Sequence, residues 1–195
     1  MPSPFGHALA GVLTAWTADL IPGQRTWRRS GSSWLARAGD GLTLTCAALA
    51  AAPDLDLLVA RHRTMTHSVA AVAVVGMAAA VAARRSGHLA RIASMCVAAY
   101  ASHLLLDWMA VDLTVPRGLQ LLWPFTACWY ISEWNVFSPT ERQHLFAPHV
   151  MRLNAIAIAR EIAILSPFLL IVWLVRMKAF ARLAAQVSRG HEAPQ

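Results

Sequence analysis

The stretch IASMCVAAYASHLLLDWMAV, residues 92–111, is an apolar segment with two ionisable side chains near one end. At about 1.5 Å per helical residue, this length matches the ~30 Å hydrocarbon core of a bilayer. His103 and Asp107 are four residues apart in it, so a helix places both on one face. Ionisable groups inside a membrane helix are costly and indicate a functional site. A His–Asp hydrogen bond that only locks two helices together is the alternative.

The composition places the whole chain in the class of membrane proteins. Hydrophobic residues make up 57% and charged residues 14% of the 195 residues, whereas soluble domains have about 45–50% and about 25%. Further apolar segments are Phe5–Ile21, Gly41–Ala52, Ser68–Ala83 and Ala155–Val175. The expected fold is all-α, an integral membrane bundle of four to five transmembrane helices. Residues 1–178 are expected to form one membrane-embedded domain, and residues 179–195 a basic, flexible cytoplasmic tail.

The positive charges indicate how such a bundle is oriented. The net charge is +7, and eleven of the 17 lysines and arginines fall on one side of a five-helix arrangement, against six on the other. They lie in separate clusters beside apolar runs, which argues for membrane topology and against nucleic-acid binding. The positive-inside rule then places the C-terminus in the cytoplasm and the N-terminus outside.

Residues 112–150 form a long connection with many aromatic side chains and few charges. Loops of this length are usually functional or disordered. Tryptophan and tyrosine are typical of the membrane interface. The aromatic residues that suit this location are Trp123, Trp129, Tyr130 and Trp134. We therefore expect an ordered aromatic loop that lies on the bilayer.

Two further polar motifs fall on the same predicted outer face as His103 and Asp107: PDLD, residues 53–56, and RHRTMTHS, residues 61–68. Close carboxylates repel unless a cation offsets them, although helix capping explains one of them. Imidazole is a common zinc ligand, and clustered His and Asp are typical of metallohydrolases. The histidines and carboxylates expected on this face include His7, Asp54, His62, His67, His103 and Asp107.

Further charged residues on this face suggest a reaction. With Asp56 and Glu161, the set is too rich for one tetrahedral zinc and suits two ions, or one ion with a general base from these two carboxylates. Arg61, Arg63 and Arg160 are candidates for holding an anion, because guanidinium pairs with phosphate in a fork; interfacial anchoring is the alternative. We expect a hydrolase in which metal-activated water attacks a phosphoester or related ester, with an anionic, lipid-linked substrate. A non-catalytic metal-binding or structural membrane protein is the alternative.

Five motifs occur in a fixed order between residues 4 and 125: GHALAG, PDLD, HRTMTHS, HLLLD and LLWPF. This order resembles the YdjM-like family of bacterial inner-membrane proteins regarded as metal-dependent hydrolases. The resemblance implies a multi-pass inner-membrane protein with a His/Asp site for one or two divalent ions, zinc first and manganese or magnesium as alternatives. The metal ligands that it implies are His7, Asp54, His62, His67, His103 and Asp107. More distantly, the order is similar to zinc-dependent phospholipase C and P1-type nucleases. The segment between HLLLD and WPF is longer here, so no substrate is carried over, and the oligomeric state is left open.

Overall fold

The computed structural model describes residues 1–21, 38–59 and 63–191, with side chains through residue 182 except at 58 and 59. Arg61 and His62, both predicted site residues, lie outside the described residues, as does most of the basic connection after the first helix. The described residues are helical apart from turns, loops and two isolated β-bridges. For this part of the chain, the all-α prediction is confirmed.

Five α-helices and two 3₁₀ helices make up the described regular structure. The α-helices are α1 Pro4–Ala18, α2 Gly41–Ala51, α3 Val69–Ala83, α4 Leu89–Trp108 and α5 Pro148–His191. The 3₁₀ helices are Ala52–Val59, after α2, and Met65–His67, before α3. The polar motifs therefore lie on short elements between helices, where side chains can turn towards the bundle without interrupting a long helix.

Side-chain caps determine where α2 and α3 begin. Asp40 accepts a hydrogen bond from the backbone N–H of Thr43 at 3.0 Å, and the Thr43 hydroxyl group completes a reciprocal capping box. Ser68 accepts from the backbone N–H of Ala71 at 3.2 Å. Such caps satisfy N–H groups that have no partner inside the helix. Because Ser68 holds the start of α3, the preceding His67 has a defined position.

Helix α4 is central and packs against α1, α2 and α3. Its fully buried Ala99 lies in a cluster with Met95, Ala15 of α1 and Cys46 of α2. A Cβ atom at Gly11 would lie 2.4 Å from the carbonyl oxygen of Cys46. Small residues thus let α1 and α2 approach each other closely, and this brings their ends to α4.

Two helices are long and apolar enough to cross a membrane, judged by length and composition: α4, Leu89–Trp108, and Pro148–Arg182 of α5. Helices α1 and α3 have 15 residues each. At about 1.5 Å per residue, each is shorter than the hydrocarbon core. The count of four to five transmembrane helices therefore stays a prediction, whereas a helical protein with two candidate spans is established.

The helix boundaries differ from the predicted ones, most of all at α5. This helix extends from Pro148 to His191, well beyond the predicted Ala155–Val175. Its first and last turns are polar and give no hydropathy signal, and proline is favoured at the first helical position. Helix α4 begins and ends three residues before the predicted segment 92–111. The α5 helix also continues to His191, into the segment 179–195, which is predicted to be a flexible tail. The division into a domain, residues 1–178, and a tail, residues 179–195, stays a prediction.

The connection between α4 and α5, residues 109–147, begins and ends three residues before the predicted connection 112–150, and it is anchored in the bundle. The backbones of Leu119 and Tyr130 exchange hydrogen bonds of 3.1 and 2.9 Å. Gly118 has a φ angle of 94°, and a Cβ atom there would lie 2.2 Å from the carbonyl oxygen of Tyr130, so this turn requires glycine. Phe137 is buried in a cluster with side chains of α1, α4 and α5. The location of the tryptophans at a membrane interface stays a prediction.

Candidate metal centre

Asp107 lies at the centre of the predicted site, among three imidazole rings. His103 Nε2 and His67 Nε2 lie 3.1 Å and 3.4 Å from Asp107 Oδ2. His7 Nε2 lies 3.4 Å from Asp107 Oδ1. All four residues are at most 1% exposed. The structure therefore brings together side chains from α1, the second 3₁₀ helix and the C-terminal end of α4.

Two of the imidazole rings face each other with nitrogen atoms at a distance that suits metal ligands. His67 Nε2 and His103 Nε2 are 3.0 Å apart, and the His7 and His103 rings stack with centroids 3.7 Å apart. His103 Nδ1 lies 2.7 Å from the carbonyl oxygen of Ala50. A carbonyl only accepts, so Nδ1 carries the proton and Nε2 presents a lone pair. The 3.0 Å between the two Nε2 atoms and the 3.1–3.4 Å from the Nε2 atoms to the oxygens of Asp107 are near the ~3.3 Å edge of a tetrahedron with metal–ligand bonds of about 2.0–2.1 Å.

Several buried polar atoms of this cluster make no hydrogen bond: both ring nitrogens of His7, both carboxylate oxygens of Asp107, and Oδ2 of Asp54. An unsatisfied buried polar group costs about 1–3 kcal/mol. Two overlapping groups have ligand atoms within 4.8 Å of one another, His7, His103 and Asp107 in one, and Asp54, His67 and His103 in the other. The residues present therefore fit a divalent cation.

Asp56 lies behind His67. Its Oδ2 is 3.1 Å from His67 Nδ1, and it accepts hydrogen bonds from the Thr66 hydroxyl group at 2.6 Å and the backbone N–H of Arg63 at 3.2 Å. The Tyr100 hydroxyl group donates to the Thr66 carbonyl oxygen at 2.8 Å, which holds this turn against α4. A carboxylate in this position orients a ligand imidazole. The role of Asp56 as a general base stays a prediction.

Two carboxylates also determine the protonation of His67. Burial lowers the pKa of His67, but the nearby carboxylates of Asp107 and Asp56 outweigh burial and raise this pKa to about 9. Without a cation, the ring is therefore protonated at neutral pH. A metal ion that binds Nε2 must displace this proton, because metal ligands are deprotonated.

Asp54 pairs with an arginine that no sequence pattern marks. Nη2 of Arg142, from the long connection, lies 3.3 Å from Asp54 Oδ1. The Asp54 side chain is 5% exposed, whereas that of Arg142 is 29% exposed. Arg142 therefore lies at the rim of the buried cluster, between Asp54 and solvent. The two residues are 88 positions apart, so no local spacing could reveal the pair.

Arg63, a predicted anion contact, is engaged within the protein. Its guanidinium group forms an ion pair with Asp112 and lies 5.6 Å from the centre of the Trp129 ring. Asp112 also accepts from the backbone N–H groups of Thr114 at 3.0 Å and Gly118 at 2.7 Å. Although burial opposes this effect, the hydrogen bonds from Thr114 and Gly118 and the charge of Arg63 hold the pKa of Asp112 below its ordinary value. This pair joins the RHRTMTHS segment to the long connection.

Glu161, a predicted base, is fully buried against the start of α1. It accepts hydrogen bonds from the backbone N–H of Ser3 at 2.7 Å and from the Ser3 hydroxyl group at 2.5 Å. A Cβ atom at Gly6 would lie 2.5 Å from Glu161 Oε2, so glycine makes room for this carboxylate. Glu161 therefore holds the turn that carries His7, and its catalytic role stays a prediction.

Arg160 lies on the outside of α5 and donates to the Ser138 hydroxyl group at 3.0 Å and the Asn135 carbonyl oxygen at 3.2 Å. These contacts tie α5 to the long connection, and an anion-binding role stays a prediction.

Five of the six predicted metal ligands are described. The structure brings these into the two candidate ligand groups: His7, Asp54, His67, His103 and Asp107.

Comparison with known proteins identifies the family of the chain. A family model described as YdjM inner membrane protein matches residues 1–184, which include every predicted site residue. No curated protein and no solved structure matches the chain. The match confirms the resemblance carried by the ordered motifs, and it agrees with the two apolar helices of spanning length. The chain therefore belongs to the YdjM inner membrane protein family.

Proposed function

We propose that this chain is a multi-pass, membrane-bound, metal-dependent hydrolase that acts on a phosphoester or related ester. The observation that carries the proposal is the convergence of His7, His67 and His103 on Asp107, with facing atoms between 3.0 and 3.4 Å apart in a fully buried cluster. A contact that only locks helices needs one imidazole for one carboxylate. Three imidazoles around one carboxylate are a ligand set.

The proposed cofactor is one zinc ion. Imidazole nitrogens with a carboxylate suit zinc, manganese is an alternative, and magnesium prefers oxygen ligands. His103 belongs to both candidate groups but offers only Nε2, because its Nδ1 donates to the carbonyl oxygen of Ala50. A shared single nitrogen favours one ion over two. When bound, the ion supplies Lewis-acid activation of water and of the ester oxygen.

The carboxylates are proposed to have separate tasks. Asp56 orients His67, because its Oδ2 is already engaged by Thr66 and the backbone of Arg63. Asp54 is placed to accept the proton of the attacking water, because its Oδ2 is buried without a hydrogen-bond partner near His67 and His103. A general base must lie within hydrogen-bond reach of the proton that it takes.

Arg142 is the proposed contact for an anionic substrate. Its guanidinium group lies beside Asp54 and is partly exposed at the rim of the cluster. Guanidinium pairs strongly with phosphate oxygens. Arg63 pairs with Asp112, and Arg160 binds the long connection, whereas Arg142 lies beside the candidate ligand Asp54; this position favours Arg142 for the role. The apolar helices support a lipid-linked substrate at a bilayer surface. The proposed orientation has the site on the outer face and the C-terminus in the cytoplasm, and the distribution of basic residues supports it.

Hydrolysis of generic substrates by purified, zinc-loaded protein in detergent tests this function. We expect turnover of a chromogenic phosphodiester, phosphomonoester or carboxylic ester by the wild type, and at least about a hundredfold loss in Asp107→Ala. His88→Ala, which alters an exposed residue at the start of α4, is the control and should retain activity. Bound metal without any turnover would indicate a metal-binding protein, and absence of metal from the native protein would indicate a structural role.

A further inference from the structure

A second buried polar cluster lies at the other end of α4, where the third residue of the helix is Arg91. Nη2 of Arg91 donates to Asp19 Oδ1 at 2.5 Å, and Nε of Arg176 donates to Asp19 Oδ2 at 2.7 Å. Asp19 is the C-terminal cap of α1, and Arg176 lies in α5. Three helices thus meet around one carboxylate and two guanidinium groups. Arg91 precedes His103 by twelve residues, or about 18 Å along the helix.

The hydrogen bond to Asp19 leaves other donors of the Arg91 guanidinium group unused. Arg91 is 5% exposed, and its Nε and Nη1 atoms are buried without an acceptor in the part of the chain that the structure describes. A buried charge is stable only with a partner and with its donors satisfied. The unused donors of Arg91 therefore suit an anionic ligand.

Aromatic rings surround the second guanidinium group. Cζ of Arg176 lies 4.7 Å from the centre of the Phe180 ring and 5.9 Å from the centres of the Trp16 and Trp173 rings. The rings hold Arg176 in place through cation–π contacts. They also exclude water, and a low dielectric strengthens the attraction between guanidinium groups and an anion.

We propose that the Asp19–Arg91–Arg176 cluster binds a phosphate group, either that of an anionic phospholipid or free phosphate. Arg91 lies two residues inside the start of a candidate membrane span, which is the depth of lipid headgroups. The N-terminus of this 20-residue helix adds partial positive charge. Two further cations, Lys178 and Arg182, follow Arg176 on α5. Such basic residues at a membrane surface attract anionic lipids.

Thermal unfolding of the full chain, delipidated in a non-ionic detergent, tests this site. We expect phosphatidylglycerol in mixed micelles to raise the unfolding midpoint by about 5–10 °C at a hundredfold excess over its Kd, and phosphatidylcholine to have no such effect. Arg91→Met should abolish the rise. This variant should fold, because Asp19 keeps its ion pair with Arg176. The control is Arg84→Met, which removes an exposed arginine near the start of α4 and should retain the rise.

The same unfolding experiment is repeated with inorganic phosphate in place of the lipid. Stabilisation by phosphate alone, again lost in Arg91→Met, identifies the ligand as free phosphate; stabilisation by the lipid but not by phosphate identifies the headgroup. No stabilisation of the wild type by either anion overturns the site, as does an equal response in Arg91→Met. A loss in Arg84→Met as large as in Arg91→Met also overturns it, since surface charge alone then explains the effect. If Arg91→Met does not fold, Arg91→Lys keeps the charge but changes the donors, and an undiminished response overturns the site.

Discussion

The two ends of α4 carry two buried polar clusters of opposite character. Around Asp107, the atoms without hydrogen bonds are carboxylate oxygens and imidazole nitrogens; around Asp19, they are the guanidinium nitrogens of Arg91. The first set of atoms suits the proposed cation, and the second set suits the proposed anion. Because a buried charge needs an opposite partner, the comparison leads to proposed ligands of opposite sign near the two ends of one helix.

The largest expected effect is the loss of metal on removing His103. His103→Ala should lower the metal content of the purified protein from about one ion per chain to a small fraction, since Nε2 faces both His67 and Asp107. Elemental analysis after removal of weakly bound metal measures this change. His88→Ala, outside the cluster, should retain the wild-type content. An equal metal content per chain in wild type and His103→Ala would contradict a metal site at this end of α4, and the proposed difference between the two ends would be lost.

A smaller effect on metal binding is expected for Asp56, which contacts the candidate ligand His67. Asp56→Asn should weaken metal binding by about 10–100-fold without changing the stoichiometry at saturation, because the carboxylate orients His67 rather than binding the ion. Competition with a chelator of known affinity gives the ratio. Asp40→Asn, which alters the cap of α2, is the matched control. Loss of stoichiometry in Asp56→Asn would instead place Asp56 among the ligands.

The pair of Arg63 and Asp112 should make stability depend on pH without involving either cluster. Asp112→Asn should lower the unfolding free energy by about 1–3 kcal/mol at pH 7. The pKa of Asp112 is held below its ordinary value of 3.8, so its contribution is present above that pH and is lost as the pH falls through the folded-state pKa. Unfolding midpoints of wild type and variant should therefore differ at pH 5–7 and converge below about pH 4. A constant difference down to the lowest pH would refute this assignment.

The smallest effect, a change in the unfolding midpoint, is expected for Arg142 at the rim of the cluster around Asp107. Arg142→Met removes a partly exposed ion pair with Asp54, which is worth about 0–1 kcal/mol. The unfolding midpoint should fall by no more than about 3 °C. Arg152→Met, another exposed arginine of the same region, provides the comparison. A much larger fall in Arg142→Met alone would mean that Arg142 supports the fold, and its proposed role towards the substrate would then lose its basis.

The sequence predicted one end of α4 far better than the other. The spacing of His103 and Asp107 defines a shared helical face, and the polar motifs at the ends of neighbouring apolar segments had to lie near that face. The pair in fact has Nε2 and Oδ2 3.1 Å apart. Arg91 gave no such signal, because a cation beside an apolar run has the same appearance whether it faces solvent or a buried carboxylate.

The long connection shows why other contacts escaped prediction. Arg63 and Asp112 are 49 positions apart, and Asp54 and Arg142 are 88 positions apart. Both pairs depend on the path of residues 109–147, which follow neither a helical nor a strand period. A lone arginine next to candidate ligands therefore suggested an anion contact, whereas for Arg63 the partner is a carboxylate of the same chain.

X-ray absorption at the zinc edge of the full chain, loaded with one equivalent of zinc, tests the central claim most directly. The account predicts a first shell of nitrogen and oxygen at about 2.0–2.1 Å with the outer-shell scattering of imidazole, and the loss of that pattern in His103→Ala. A sulfur shell at about 2.3 Å, or the same spectrum from wild type and His103→Ala, would contradict a metal centre built from His7, His67, His103 and Asp107.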